Sequence, residues 1–125
     1  MPTPTVMIFD DDQDLLEICQ MILSGMKLQV ICRDNCRNVI TDIEASSPQL
    51  VLMDNRIGPK GGVTAIRQIK ENYPSIPAIF LSGDANIQEL ALEAGADAYL
   101  SKPFDVDKLE KLVSDWLGKL KSPHQ

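Results

Sequence analysis

The sequence predicts an α/β fold, in which an open parallel β-sheet is covered by helices on both faces. Two observations predict this class. Five short apolar runs recur along the chain, and most are continuous rather than alternating, as expected of strands buried on both faces. Helix-period sequence follows each run, and alternating strands and helices imply crossover connections between parallel strands. The runs are residues 6–9 (VMIF), 28–32 (LQVIC), 50–53 (LVLM), 78–81 (AIFL) and 98–100 (AYL).

The first helix is predicted over residues 15–23, where apolar residues have the spacing of one helix face. That face comprises Leu15, Ile18, Cys19 and Ile22. Gly25 follows as a stop signal, because glycine commonly ends a helix. Farther along, a Ser-Ser-Pro turn precedes the third strand, which is expected from Gln49 onward.

The later helices show the same periodicity and have clear ends. Their apolar positions are Val63, Ile66, Ile69 and Tyr73 in the third helix, Ile87, Leu90, Ala91 and Ala94 in the fourth, and Leu109, Leu112, Val113, Trp116, Leu117 and Leu120 in the fifth. Pro74 ends the third helix, because proline cannot continue the hydrogen-bond ladder. Gly95 is a plausible C-cap of the fourth helix, and Asp105 stands at the N-cap of the fifth.

Length and charge exclude several classes of protein. The chain has 125 residues, which fits one domain of about 100–150 residues, expected over 1–125 with its core at about 6–120. Acidic residues number 18 and basic residues 12, so the net charge is −6 and no basic face for nucleic acid is expected. No apolar stretch approaches the roughly 18 residues of a membrane span. An odd set of three cysteines and a start without a secretory signal favour the cytoplasm.

Polar residues follow the apolar runs at the points where the strands are expected to end. Residues 10–12 (DDD) follow the first run, Asp54 the third, Ser82 the fourth, and Ser101-Lys102-Pro103 the fifth. Ligands of open parallel sheets lie beyond the carboxyl ends of the strands. At least three carboxylates, a hydroxyl and an ammonium group are therefore expected to gather at one edge of the sheet.

This set of groups points to phosphoryl chemistry. Clustered carboxylates repel one another and need a cation, and hard oxygen ligands at a hydrated site suit Mg²⁺. A lysine and a hydroxyl add donors for a transferring phosphoryl group. Asp54 is the natural nucleophile, because it ends the middle strand and stands apart from the acidic triplet. Three glycines follow it, at 58, 61 and 62, and let the backbone approach a metal or phosphoryl group.

Four segments in order carry a resemblance to a known family. They are FDDD (9–12), LVLMDNR (50–56), AIFLSGD (78–84) and GADAYLSKPF (95–104). The chain resembles, over about residues 6–120, the receiver domains of two-component response regulators, including the chemotaxis-regulator-like receivers. The resemblance implies a flavodoxin-like, doubly wound sheet of five parallel strands in the order 2-1-3-4-5, with five helices. It also implies a signalling domain that assists its own phosphorylation and dephosphorylation only, and is otherwise not an enzyme.

The resemblance implies a role for each residue at the metal and phosphoryl site. Asp54 matches the phosphoacceptor, which takes its phosphoryl group from a histidine kinase or a small phosphodonor. Asp11 matches a direct Mg²⁺ ligand, and Asp10 a ligand acting largely through water. The backbone carbonyl of Arg56 matches the third protein ligand, beside Asp54 itself. Lys102 matches the lysine that contacts the phosphoryl oxygens, and the bond between Lys102 and Pro103 is expected to be cis.

The resemblance also implies a conformational switch. Ser82 matches the residue whose hydroxyl swings toward the acyl phosphate. Tyr99 matches the aromatic position that turns inward on activation, although a core or interface role is about as plausible for this side chain. Their movement would bias the fourth helix, fifth strand and fifth helix. That face is then expected to meet an output domain or a second copy, while a sensor histidine kinase or phosphotransfer protein supplies the phosphoryl group.

The segment after Asp54 departs from the family pattern. Similar receivers continue as x-x-M-P-x-M-D-G, whereas this chain reads N-R-I-G-P-K-G-G. The loop is therefore expected to be more mobile, and the resemblance does not carry the family's kinase contacts over to it. Arg56 and Asp84 stand at positions that border the path of the hydrolytic water in the family. Our hypothesis is that this opposite-charge pair tunes the lifetime of the phosphorylated state.

Two other functions remain open from the sequence. A small Mg²⁺-dependent phosphatase of the haloacid-dehalogenase type would use Asp10 as its nucleophile, since Asp10-x-Asp12 follows a strand. Against it, Asp14 stands where that family expects Thr or Val, and Lys102 follows rather than precedes the Gly83-Asp84 element. A pseudo-receiver that serves only for docking would not accept phosphate. The intact carboxylates and lysine speak against that function.

Overall fold

The computed structural model describes residues 3–121, with side chains described as far as residue 118. Five strands alternate with five helices along the chain. The elements are β1 (Thr5–Phe9), α1 (Gln13–Gly25), β2 (Gln29–Arg33), α2 (Val39–Ser46), β3 (Leu50–Asp54), α3 (Gly62–Asn72), β4 (Ala78–Ser82), α4 (Ile87–Ala94), β5 (Ala98–Ser101) and α5 (Val106–Lys121). All strand pairs are parallel, in the order β2-β1-β3-β4-β5. The predicted fold and strand order are confirmed.

The three central strands separate two hydrophobic layers. Every residue of β1, β3 and β4 is buried, which explains why these runs are continuously apolar. Alternate residues face opposite layers, so Phe9 and Phe80 pack with α2, α3 and α4, whereas Ile8 and Leu52 pack with α1 and α5. Each fully buried side chain of this size contributes roughly 1.5–3 kcal/mol. The two layers therefore hold the three central strands in the middle of the core.

The first helix is rotated relative to the predicted face. The structure buries Leu16, Cys19 and Leu23, whereas Ile18 is 51% exposed. Apolar side chains occupy seven of the 13 positions of α1, so their spacing fits more than one face and the predicted face was wrong in part. The helix ends on Gly25, with Met26 as the C-cap and Lys27 in the left-handed region at φ 64°. Gly25 is thus the last helical residue and not the turn residue beyond it.

The other helix boundaries agree with their predicted signals. Tyr73 is the C-cap of α3, directly before Pro74. Gly95 ends α4 in the left-handed region at φ 79°, a conformation that favours glycine. The side chain of Asp105 accepts a hydrogen bond from the Lys108 amide at 2.8 Å, as an N-cap does. The prediction for Leu120 falls outside the described side chains.

The strand boundaries differ slightly from the predicted ones. β3 begins at Leu50, one residue after the predicted start, although the Gln49 amide already donates to the Thr5 carbonyl at 2.8 Å. Asp54 is the last residue of β3, as predicted for the residue that ends the middle strand, and Ser82 is the last residue of β4. None of the helices in the described part of the chain is long and apolar enough to cross a bilayer.

Candidate functional site

The sheet places the chemical groups side by side at its carboxyl edge. β1 and β3 are parallel neighbours with Phe9 opposite Met53, so Asp10 comes next to Asp54. β4 lies on the other side of β3 and ends in Ser82, which is opposite Ser101 of β5. Lys102 follows Ser101 directly. The parallel register therefore brings residues from four separate segments of the chain to one edge, as predicted.

Three carboxylates form the centre of the site. One oxygen each of Asp10, Asp11 and Asp54 lies within 4.8 Å of the others. Asp10 is fully buried and Asp54 is 5% exposed, whereas Asp11 is exposed to solvent. The cluster is therefore buried on the sheet side and open on the outer side, where a hydrated cation could enter.

Lys102 bridges the two buried carboxylates. Its Nζ donates to Asp10 Oδ2 at 2.7 Å and to Asp54 Oδ1 at 2.8 Å. Burial raises the pKa of Asp10, and the hydrogen bond from Lys102 only partly opposes this. Burial lowers the pKa of Lys102, but the hydrogen bonds to Asp10 and Asp54 outweigh it, and the pKa lies above its usual value. The ammonium group therefore stays charged.

Backbone amides bind the second oxygen of each buried carboxylate. The Asp12 amide donates to Asp10 Oδ1 at 3.0 Å, and the Arg56 amide donates to Asp54 Oδ2 at 3.1 Å. Each carboxylate thus accepts a hydrogen bond from Lys102 on one oxygen, and one from the backbone amide two residues later on the other oxygen. These bonds hold both carboxylates in fixed orientations, which is what a positioned nucleophile or metal ligand needs.

A second hydrogen-bonded group borders the carboxylates and is centred on Asp84. Arg56 Nη2 donates to Asp84 Oδ1 at 2.8 Å, while the Ser82 hydroxyl and Asn55 Nδ2 donate to Asp84 Oδ2 at 2.7 and 2.8 Å. These bonds, with that of Arg56 the strongest, lower the pKa of Asp84 to about 2. The predicted pairing of Arg56 with Asp84 is therefore present. The part played by Asn55 was missed, because an amide after a strand has no distinctive pattern.

These groups line one open cavity. Its volume is about 400 Å³, and its lining combines the carboxylates, the lysine and the Asp84 group. The lining residues are Asp10, Asp11, Asp12, Asp54, Arg56, Ser82, Gly83, Asp84 and Lys102. Such a cavity could hold a hydrated divalent cation together with a tetrahedral oxyanion beside Asp54. Tyr99, the predicted switch residue, is not among the lining residues and is 41% exposed on β5.

The glycines after Asp54 have a more specific use than the sequence suggested. A Cβ on Gly62 would lie 2.2 Å from the backbone oxygen of Asp54, so α3 can begin against the end of β3 only with glycine there. Gly61 adopts φ +86°, which also favours glycine. Close packing of α3 on the chain beside Asp54 therefore accounts for Gly62, and the left-handed backbone conformation accounts for Gly61. The peptide bond between Lys102 and Pro103 is cis, as expected, and so is the one between Gly58 and Pro59.

Comparisons with known proteins match nearly the whole chain to one family of domains. A family model described as the response regulator receiver domain matches residues 6–114. The DNA-binding transcriptional regulator NtrC of Salmonella typhimurium is 29% identical over 110 residues, and the autoinducer 1 sensor kinase/phosphatase LuxN of Vibrio campbellii is 30% identical over 118 residues. The BeF3-activated receiver domain of DrrB, a Thermotoga maritima response regulator, superposes with a TM-score of 0.83 at 27% identity.

The matches cover nearly all of this chain but only part of the longer relatives. The alignments include 86% of the chain against NtrC, 94% against LuxN and 94% against the DrrB receiver domain. They include 24% of NtrC and 14% of LuxN, but 99% of the DrrB receiver domain. The chain therefore resembles one domain of the two longer relatives.

Proposed function

Because the chain belongs to the response regulator receiver domain family, we propose that Asp54 accepts a phosphoryl group and so switches the domain. The single observation that carries this proposal is the position of Asp54. Its carboxylate ends the middle strand, is buried at 5% exposure, and opens onto the cavity with Lys102 Nζ at 2.8 Å from Oδ1. A carboxylate so oriented can attack a phosphorus atom in line.

The reaction transfers the phosphoryl group without any net oxidation or reduction. A carboxylate oxygen of Asp54 forms a bond to phosphorus, while the bond from phosphorus to the donor breaks. The donor is the phosphoimidazole of a histidine kinase or phosphotransfer protein, or a small acyl phosphate. The leaving group keeps the electron pair of the broken bond, and an imidazole takes up a proton from solvent. Lys102 is placed to contact the phosphoryl oxygens, and its charge opposes theirs.

We propose Mg²⁺ as the cation of this site. The chemistry of the donors fits, because the cluster offers hard carboxylate oxygens, one of them on exposed Asp11, and Lys102 balances only one of three negative charges. Asp11 and Asp54 would bind the ion directly, Asp10 largely through water, and Arg56 through its backbone carbonyl. When bound, the ion neutralises negative charge on the carboxylates and on the phosphoryl oxygens.

We propose that the α4-β5-α5 face carries the output of the switch. Ser82 would turn its hydroxyl toward the phosphoryl group, and Tyr99 would turn inward. Three large apolar side chains on this face are exposed: Leu92 at 75%, Tyr99 at 41% and Val106 at 47%. Exposed apolar residues on adjacent elements fit a surface that meets a second copy of the domain or an output domain.

The phosphatase alternative is not favoured, because the family model and the relatives described above are receiver domains or proteins that contain them. We propose one receiver domain over residues 1–125 in the cytoplasm, where its free cysteines would stay reduced. Its role is that of a signalling domain whose catalysis is limited to its own phosphorylation and dephosphorylation. The activity of any longer protein containing it depends on that protein's other domains.

The test is the intact mass of the protein after incubation with acetyl phosphate, with and without Mg²⁺. We expect the gain of one phosphoryl group only with Mg²⁺, and no gain in Asp54→Asn. Asp42→Asn is the matched control, because Asp42 lies in a surface ion pair with Arg33 away from the cavity, and it should be phosphorylated normally. A gain that survives in Asp54→Asn would move the nucleophile to another carboxylate, with Asp10 as the first candidate. No gain in the unaltered protein would contradict the proposal for this donor.

A further inference from the structure

We propose that Asp84 is a positioning residue that holds the Ser82 hydroxyl in the resting orientation and thereby opposes phosphoryl binding. The proposal rests on the proposed function of Asp54 and concerns the equilibrium between resting and phosphoryl-bound forms. The observation behind it is the short bond between Ser82 Oγ and Asp84 Oδ2, at 2.7 Å, on the rim of the cavity that contains Asp54.

The hydroxyl has only one proton to donate. Ser82 is 2% exposed, and a buried hydroxyl needs a hydrogen-bond partner. In the resting structure it donates to Asp84 and also accepts a bond from the Asp84 amide at 3.0 Å. It cannot donate to Asp84 and to a phosphoryl oxygen at once. Binding of a phosphoryl group through Ser82 therefore requires the bond to Asp84 to break.

Asp84 is itself held in position by the two residues that follow Asp54. Asn55 Nδ2 donates to Asp84 Oδ2 and Arg56 Nη2 donates to Asp84 Oδ1, both at 2.8 Å. The side chain of Asp84 is only 22% exposed, so the surrounding residues cover most of it while these bonds orient its two oxygens. Asp84, fixed in this way, competes with a phosphoryl oxygen for the one hydrogen bond that the Ser82 hydroxyl can donate. The resting form is favoured by the strength of that bond.

Beryllofluoride with Mg²⁺ is the probe for this equilibrium, because it binds a carboxylate as a tetrahedral phosphoryl mimic and does not undergo hydrolysis. We would measure its affinity by isothermal titration calorimetry for the unaltered protein, Asp84→Ala, Ser82→Ala and the double variant. A hydrogen bond to a charged group is worth about 1.5 kcal/mol, which corresponds to about a tenfold change in affinity. Asp84→Ala should tighten beryllofluoride binding in the protein that keeps Ser82. We expect this gain in affinity to be about tenfold larger than the gain from the same substitution in the Ser82→Ala background.

The double variant separates this role from a general charge effect. Removing Asp84 also removes a negative charge near an anionic ligand, but that effect is the same with or without Ser82. The proposal would be overturned if Asp84→Ala changed the beryllofluoride affinity by the same factor with Ser82 present and with Ser82→Ala. Weaker binding in Asp84→Ala would also overturn it. Asp84→Asn keeps the shape of the side chain with a neutral acceptor, so it should give a smaller, Ser82-dependent increase even if the alanine variant folds poorly. Asp42→Ala, the charge-matched control, should leave the affinity unchanged.

The failure of this proposal can be told apart from failure of the proposed function. If the unaltered protein binds beryllofluoride and Asp54→Ala does not, the function of Asp54 stands whatever the Asp84 variants do. If the unaltered protein does not bind, both proposals fail together. Binding that is tightened by Asp84→Ala only in the presence of Ser82 supports both.

Discussion

Two lysines form ion clusters at opposite edges of the same sheet, and their surroundings differ in charge balance. At the amino edge, Lys70 Nζ binds Asp97 Oδ2 at 2.8 Å and the carbonyls of Pro74 and Ile76. Asp97 also accepts a bond from the Ala78 amide, so one cation meets one carboxylate and both have several partners. At the carboxyl edge, Lys102 faces Asp10 and Asp54, with Asp11 beside them.

Charge balance and access to solvent distinguish the structural cluster from the functional one. The Lys70 cluster is neutral and joins the α3–β4 loop to the start of β5, which makes it a clamp. The Lys102 cluster retains an excess of negative charge and lines an open cavity, so it is incomplete without another cation or ligand. Variants at the two edges should therefore differ in phosphorylation rate and in the effect of Mg²⁺ on stability, and two carboxyl groups at the carboxyl edge should titrate in a defined order.

The largest difference should be in the rate of phosphorylation. Lys102→Ala removes the cation nearest the phosphoryl oxygens, and we expect the rate with acetyl phosphate and Mg²⁺ to fall about 10²–10³-fold, as when one oxyanion donor is removed. Lys70→Ala, the matched variant at the other edge, should stay within about threefold of the unaltered protein as long as it is folded by circular dichroism. Similar losses in both variants would mean that the Lys102 cluster acts only through the fold.

The next difference should be in how stability depends on metal. Without metal, Lys102→Ala leaves Asp10 buried without its cation, and we expect a loss of about 3 kcal/mol in the free energy of unfolding. Mg²⁺ should recover most of that loss, because it supplies positive charge to the same carboxylates. Lys70→Ala should also destabilise the protein. The gain in the free energy of unfolding on adding Mg²⁺ should, however, be no larger for this variant than for the unaltered protein. Urea unfolding with Mg²⁺ and with a chelator measures this, and equal Mg²⁺ effects in the two variants would contradict it.

The smallest effect should be that Asp10 and Asp84, both at the carboxyl edge, take up their protons at different pH values. The pKa of Asp10 is raised by burial, and that of Asp84 is lowered to about 2 by Arg56, Ser82 and Asn55. The contribution of Asp84 to stability is therefore fully present above its ordinary pKa of 3.8 and is lost as the pH falls toward 2. For Asp10 the sign is opposite, because its favourable contribution is present below 3.8 and is lost as the pH rises through its raised pKa.

Carboxyl carbon shifts in an NMR titration of the metal-free protein measure both groups. On acidification we expect Asp10 to take up its proton first, above pH 3.8, and Asp84 last, near pH 2. Arg56→Ala removes the strongest partner of Asp84 and should move that titration upward while leaving the order unchanged. Protonation of Asp84 before Asp10 would show that the Asp84 group is not the hydrogen-bonded network described here.

Much of the site could be predicted because strand ends are visible in the sequence. The central strands are continuous apolar runs, and the parallel fold brings their carboxyl ends together whatever the details of packing. Asp10, Asp54, Ser82 and Lys102 were therefore identified from position alone. The clamp at Lys70 was not identified, because a lysine on a helix and an aspartate 27 residues later have no visible relation in the sequence.

The rotation of α1 shows where apolar patterning fails. The segment has apolar residues over more than half of the helix circumference, so burial of Leu16 and Leu23 rather than Ile18 depends on how the helix packs on the sheet. Asn55 and the Ser82–Asp84 bond were also missed. A short polar side chain has several acceptors within reach, and the choice among them depends on the final backbone geometry.

The sequence by itself determined the fold class, the strand order through its family resemblance, and the set of groups at the carboxyl edge. These depend on local apolar runs and on the geometry of parallel strands, which hold for any chain of this pattern. Only the tertiary structure decided that Lys102 bridges Asp10 and Asp54, and that the Ser82 hydroxyl donates its hydrogen bond to Asp84. Each of these hydrogen bonds requires particular distances and angles, which the backbone positions in the packed fold set and the order of residues along the chain does not.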